Sequence, residues 1–228
     1  MKPTPEALRA SPSRGRAGGP AEPDPRRPGQ RSFLSEDGGA ADALRGSRSR
    51  GRVGGSAEPG RGRGGEAGSR KVSPTLSLSV QYAVQAPELP RWRLRRWIER
   101  ALRAARVDGL AAFLGAEISL RVVGLAEGRR LNHGFRERDY ATNVLTFEYG
   151  VGPDGLARGD IVLCLPVLRR EAREQRKTVL NHAAHLTVHG VFHALGYDHI
   201  KARDARRMEA LETRVLADMG IADPYAPR

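Results

Sequence analysis

The stretch His185-Leu-Thr-Val-His-Gly-Val-Phe-His-Ala-Leu-Gly-Tyr-Asp-His199 holds the residues best suited to chemistry. His189, His193 and His199 follow the spacing H-x-x-x-H-x-x-x-x-x-H. On a helix the first two stack on one face, about one turn apart. Gly196 then allows the helix to end and the chain to turn, which brings His199 back towards the same point. Three neutral imidazoles converging in this way make an open metal site. Three protein ligands plus water is the arrangement of catalytic zinc, whereas structural zinc closes all four positions. The same ligands also suit nickel or copper.

Four histidines share that helix: His182, His185, His189 and His193. At about 100° per residue they fall in a stripe of roughly 80°, with Leu180, Ala184, Val188, Val191 and Leu195 opposite. A histidine face and a core face are therefore expected. Spacing alone allows two i, i+4 pairs, His185 with His189 or His189 with His193. The turn discriminates between them, because His199 can return only to the C-terminal end of the helix. His182 and His185 are expected to line a cleft or bond to neighbours. Asp198 either accepts a hydrogen bond from a ligand or shapes the turn. In the zincin protease motif H-E-x-x-H, a glutamate is the general base. Here that position is Gly190, which disfavours peptide hydrolysis by that route. The missing side chain is expected to leave room beside the metal for a bulky substrate.

The elements that must position these residues begin near Thr75. Leu76, Leu78, Val80 and Tyr82 alternate with polar residues, the pattern of a half-buried strand. Pro90 opens a helix to about Arg106, with Leu94, Trp97, Ile98, Ala101, Leu102 and Ala105 as its core stripe. Its other face carries Arg91, Arg95, Arg96, Arg100, Arg103 and Arg106, either solvated or in contact with phosphate. Ile118 to Val122 reads as a second strand, Ala126–Phe135 as a short helix, and Asn143–Glu148 as a third strand. Asp160–Leu165 is a continuous apolar run and reads as a fourth strand buried on both faces. A loop is expected over Gly150–Gly159. Val167–Gln175 is a short helix, Thr178 caps the histidine helix, and a last helix spans about Asp204–Met219. Helices gather towards the C-terminal end, so the fold class is α+β in a single domain.

Composition sets further bounds. The net charge of +13 and pI near 11.0 point to a polyanionic partner, nucleic acid before acidic membrane. Residues 1–70 carry 14 Lys/Arg and 8 Asp/Glu, a net of +6; residues 71–228 carry 25 and 18, a net of +7. The part expected to fold is thus only modestly basic. Cys164 is the sole cysteine, which excludes an internal disulfide or a thiolate cluster and makes a reducing compartment the default. No apolar run approaches a membrane span and no secretory signal is visible, so the cytoplasm is expected. Residues 1–72 are rich in Arg, Gly and Pro, with an internal repeat of Glu6–Pro23 at Asp42–Pro59. They are expected to be a disordered extension or a wrongly assigned start, with an RNA-binding Arg-Gly tail as the sharper alternative. The folded domain is expected over residues 73–228.

His189-Gly-Val-Phe-His193-Ala-Leu-Gly196-Tyr-Asp-His199 resembles the H-G-x-x-H-x-x-G-Y-D-H signature of the bacterial YbeY endoribonucleases. Leu131-Asn-His-Gly-Phe-Arg136-Glu-Arg-Asp139-Tyr-Ala-Thr142-Asn-Val-Leu-Thr-Phe147 is similar to a second family segment. Gly159-Asp-Ile-Val-Leu-Cys164, Met208-Glu-Ala-Leu-Glu212 and Asp223-Pro-Tyr225 are similar to three more. The resemblance covers about Leu76 to Tyr225. It implies a zincin-like domain with a mixed four-stranded sheet and about five helices, and one zinc ion held by His189, His193 and His199. It also implies single-strand-specific RNA cleavage in rRNA maturation, including the 16S rRNA 3' end, and in ribosome quality control. The implied partners are rRNA, the small ribosomal subunit and assembly factors, with His189 and Arg136 as catalytic residues. A guanidinium suits the second role, since it binds phosphate bidentately and stabilises developing charge. The rival readings are a ribosome-assembly module with a structural zinc and, disfavoured by Gly190, a metalloprotease.

Overall fold

The computed structural model describes residues 74–226 and the backbone of Arg31–Phe33. The expectation of disorder over residues 1–72 otherwise lies outside the described residues. The elements in chain order are β1 (Arg31–Phe33), β2 (Thr75–Tyr82), α1 (Arg91–Asp108), β3 (Gly115–Val123), α2 (Leu125–Arg136), β4 (Val144–Val151), β5 (Leu156–Cys164), α3 (Leu165–Glu174), α4 (Val179–Ala194) and α5 (Ala202–Ala217). The sheet order is β1-β4-β5-β3-β2. Strands β2, β3 and β5 are parallel, while β4 runs antiparallel to β5 and β1 antiparallel to β4. The mixed four-stranded sheet expected of the domain is therefore β2 to β5, and the three-residue β1 extends it on the β4 edge.

Alternation on the central strands divides the structure into two layers of contact. On β5, Ile161 and Leu163 join the large core with α1, α4 and α5, while Val162 and Cys164 face a smaller cluster with Leu131 and Phe135 of α2. The continuous apolar run is buried on both faces, as expected of a strand with helices above and below. Helix α1 docks through its stripe of Leu94, Trp97, Ile98, Ala101, Leu102 and Ala105. Its arginines largely bond within the domain: Arg91 Nη2 donates to Leu78 O, Arg100 Nη1 donates to Asp218 O, and Arg95 pairs with Glu99.

Two expectations need correction. The loop over residues 150–159 is a tight hairpin, because pairing continues through Gly150 with Arg158 and Val151 with Ala157. Arg158 fastens the hairpin, donating to Asp154 and to Glu117 of β3. The hydrogen bond from Arg158, then that from the Leu156 amide, holds the Asp154 carboxyl down at about 2. On β2 only Leu78 of the alternating set is buried, and Tyr82 is 43% exposed. As the outermost strand on its side, β2 receives cover only along part of its length. The core face and the histidine face expected of α4 are both present, and both are covered. Every residue from His182 to Ala194 is buried, because the sheet, α1, α3 and α5 surround the helix.

Glycine sets how closely α4 meets the sheet. A Cβ on Gly159 would lie 2.6 Å from Ala194 Cβ and 3.0 Å from the Phe147 carbonyl oxygen, so neither strand nor helix could stay in place. Gly159→Ala is expected to cost about 1–3 kcal/mol, the range for overpacking a filled core. Thermal unfolding of the variant should show a melting temperature lower by several degrees.

Candidate metal centre

Helix α4 starts at Thr178, whose Oγ1 accepts a hydrogen bond from Asn181 N (3.1 Å), the N-cap expected from the sequence. It ends in a Schellman motif, in which Tyr197 N donates to Phe192 O and Gly196 N to His193 O (both 3.0 Å). Gly196 takes φ +86°, a left-handed value that disfavours any side chain. Tyr197 then packs on Phe192, with ring centroids 5.2 Å apart. Its hydroxyl donates to Asp108 Oδ2 (2.7 Å), which also accepts from Arg207 Nε (2.9 Å). The turn is thereby tied to α1 and α5. Asp198 Oδ1 accepts from the amides of His199 (2.6 Å) and Ile200 (3.1 Å). Of its two expected roles, Asp198 performs the turn-forming one.

The result brings His189, His193 and His199 together, with one ring nitrogen from each lying within 4.8 Å of the others. His189 Nε2 and His193 Nε2 are 3.0 Å apart, and the His199 ring lies 5.8 Å from that of His189 and 5.0 Å from that of His193. His199 Nε2 is buried without a hydrogen-bond partner. Two buried ring nitrogens facing each other, with a third left unsatisfied beside them, could share a cation. Three imidazole nitrogens are a fitting donor set for zinc. Burial first, and then His189 and His199, push the His193 pKa well below the ordinary imidazole value. The ring is thus held neutral, the form that binds a metal. A cavity of about 160 Å³ adjoins the centre, lined by His189, His199, Ala205, Met208, Glu209, Glu212 and Tyr225.

The earlier histidines make internal bonds. His182 Nε2 donates to Glu171 Oε2 (2.8 Å), which also accepts from Asn143 Nδ2 (2.9 Å). This joins α3, α4 and the start of β4. His185 Nε2 donates to Glu212 Oε2 (3.0 Å), and His189 Nδ1 donates to the other oxygen of the same carboxylate (2.9 Å). Sequence reasoning missed Glu212. It is fully buried on α5, and its charge could have marked it only once the partner histidines were in place. Burial raises its pKa, but His189 and His185 outweigh that and hold it well below the usual carboxylate range.

The space above Gly190 is not open, as had been expected. A Cβ there would meet Ile161 Cγ2 at 3.0 Å and Thr146 Oγ1 at 3.2 Å, so the glycine serves close packing of α4 on the sheet. Arg136 ends α2, on the opposite face of the sheet from α4. It is partly buried and does not line the cavity at the histidines. The preceding Phe135 packs on Phe147, with centroids 4.6 Å apart. Phe147 lies between Thr146 and Glu148, the residues that approach Gly190 and Gly196. The loop after α2 is held by two hydrogen bonds from Arg129 to Asp139 (2.7 and 2.6 Å) and by Asn132 Nδ2 donating to Tyr140 O (2.7 Å).

Fold and site together define an α+β domain with a three-histidine group that could hold a metal ion. The family model described as Endoribonuclease YbeY matches residues 80–220, and the chain belongs to that family. An Endoribonuclease YbeY from Bordetella pertussis is 77% identical over 150 residues, covering 66% of this chain and 96% of the relative. One from Bordetella petrii is 76% identical over 155 residues (68% and 100%), and one from Alkalilimnicola ehrlichii is 52% identical over 160 (67% and 93%). A protein from Thermotoga maritima solved in solution aligns at TM-score 0.41 and 17% identity, covering 66% of this chain and all of that one. Among the described residues no helix is long and apolar enough to cross a membrane.

The buried centre makes metal-free stability depend on pH. His193 has a folded pKa below its unfolded value of about 6.5, so below that pH the unfolded chain binds a proton that the folded chain refuses. Glu212, held below 4.5, acts in the same direction at lower pH. Denaturant titrations in chelator should show stability falling from pH 6.5 downwards, with a slope of about 1.4 kcal/mol per pH unit for each such group. A flat profile between pH 7 and 5 would contradict the burial argument.

Proposed function

We propose that this chain is a metal-dependent endoribonuclease that cleaves single-stranded RNA during rRNA maturation, including the 16S rRNA 3' end, and in ribosome quality control. The observation that carries the chemistry is the convergence of His189, His193 and the unsatisfied His199 Nε2. These three residues would hold one zinc ion. When bound, zinc supplies Lewis acidity towards a phosphate oxygen and lowers the pKa of water. His189 acts in this reading as a ligand on which activity depends.

Arg136 would bind the scissile phosphate. Its planar guanidinium can donate two parallel hydrogen bonds to the non-bridging oxygens and stabilise charge that grows as the phosphodiester breaks. The family membership supports RNA as substrate, and the net charge of +13 supports a polyanionic partner. The small ribosomal subunit and its assembly factors are the proposed macromolecular setting, and the cytoplasm the proposed compartment. Residues 73–228 would be the catalytic domain, with residues 1–72 as an appendage.

The test uses the full-length chain. Bound metal is measured, and an unstructured RNA is assayed with wild type, His189→Ala and Arg136→Ala. Wild type should carry about one zinc per chain, and His189→Ala should lose both metal and cleavage. Arg136→Ala should retain metal but lose cleavage by about 10²–10³-fold, the scale for removing one transition-state donor. Undiminished cleavage by both variants would assign the activity to a contaminant and sink the proposal.

A further inference from the structure

The last residues of the chain enter the metal centre from outside the histidine motif. After α5 the chain turns at Asp223, whose Oδ1 accepts from Thr213 Oγ1 (3.1 Å) and from Tyr225 N (2.9 Å). Lys177 Nζ donates to Pro224 O (3.4 Å). These bonds set the Tyr225 ring edge-on to His185, with centroids 5.5 Å apart and planes at 88°. The Tyr225 hydroxyl donates to Glu212 Oε2, the oxygen that also accepts from His185 Nε2. Glu212 Oε1 accepts from His189 Nδ1. One fully buried carboxylate thus receives three donors from two parts of the chain, two from α4 and one from the C-terminal segment.

We propose that Glu212 and Tyr225 are positioning residues of the metal centre, with Glu212 fixing the tautomer and ring orientation of His189, and Tyr225 and His185 fixing Glu212. This rests on the reading that His189, His193 and His199 hold a metal. A carboxylate has only acceptors to offer, so His189 must carry its proton on Nδ1. That leaves the Nε2 lone pair pointing at His193 and His199, the orientation a shared ion requires. A carboxylate behind a ligating histidine also raises the basicity of the ring. His185, His189 and Glu212 could be taken as a second ligand set, since their atoms also lie close together. Their hydrogen bonds argue otherwise. A metal there would have to displace the Nδ1 proton of His189 while the same ring served the first site.

Glutamine at position 212 is the informative change. Its shape is preserved, but its NH₂ faces a donor from His185 and Tyr225 or from His189. Outer partners of this kind are worth about 10–100-fold in metal affinity. Full-length wild type, Glu212→Gln and Tyr225→Phe are compared by zinc competition against a chromogenic chelator. The melting temperature of each metal-free protein is recorded, and nitrogen-detected NMR of the imidazoles reads the His189 tautomer. Zinc affinity should fall about 10–100-fold in Glu212→Gln, with loss of the single Nδ1–H form. Tyr225→Phe should show a smaller fall in the same direction. Wild-type affinity in both variants overturns the proposal, including when their metal-free melting temperatures drop, because packing alone would then explain the cluster. Failure of wild type to bind zinc would instead remove the metal reading itself, and this inference with it. Because Tyr225 is only half-buried, its variant keeps the question answerable if Glu212→Gln does not fold.

Discussion

Helix α4 lies against the sheet at a distance only glycine permits. Gly159 on the strand and Gly190 on the helix remove the side chains that would otherwise separate them. Closeness of this kind is a packing constraint with a chemical consequence. Together with cover from α1, α3 and α5, it buries α4 from His182 to Ala194, and with it four imidazoles. A buried imidazole must find a partner or remain neutral. The surrounding elements provide for each: Glu171 for His182, Glu212 for His185 and His189, and a shared ion position for the nitrogens of His189, His193 and His199.

Electrostatics then follows from packing. Glu171 and Glu212 come from α3 and α5, so the hydrogen bonds of the histidines also hold three helices in register. Losing a partner would leave a buried polar group uncompensated, a cost of roughly 1–3 kcal/mol for a neutral group and more for a charged one. The bonds that satisfy these histidines are therefore also bonds that hold the domain together. Surface ion pairs such as Arg129 with Asp139 have a different standing: they shape the loop that follows Arg136, and solvent screens them.

Much of the fold was legible because it rests on local periodicity. The core stripe of α1, the Thr178 cap and the doubly buried β5 were readable as such, and the Gly196 turn with its returning histidine was equally so. What could not be read depends on residues distant in sequence. The histidine stripe gave no sign of what would cover it, because for His185 and His189 that cover comes from α5 and the C-terminal segment, more than twenty residues away. Gly190 suggested empty space, but Ile161 and Thr146 fill it from two strands. The residues around Gly150 and Gly155 suggested a loop, while strand pairing and the Arg158 clamp extended the hairpin through them. Glu212 looked like one of many charged residues on a helix until the fold placed it between two rings.

The three histidines that could hold a metal are all short-range. His189, His193 and His199 fall within eleven residues, on a turn closed by its own backbone bonds and by Asp198. Closing so short a loop costs little entropy, so the same three imidazoles can meet transiently in a chain that has not folded. A metal that binds the unfolded chain gives back less folding energy than its affinity for the native state suggests. Glu212, which bonds His189 only once α5 has docked, would restore the difference, so that selectivity for the folded state would reside in a helix that supplies none of the three imidazoles.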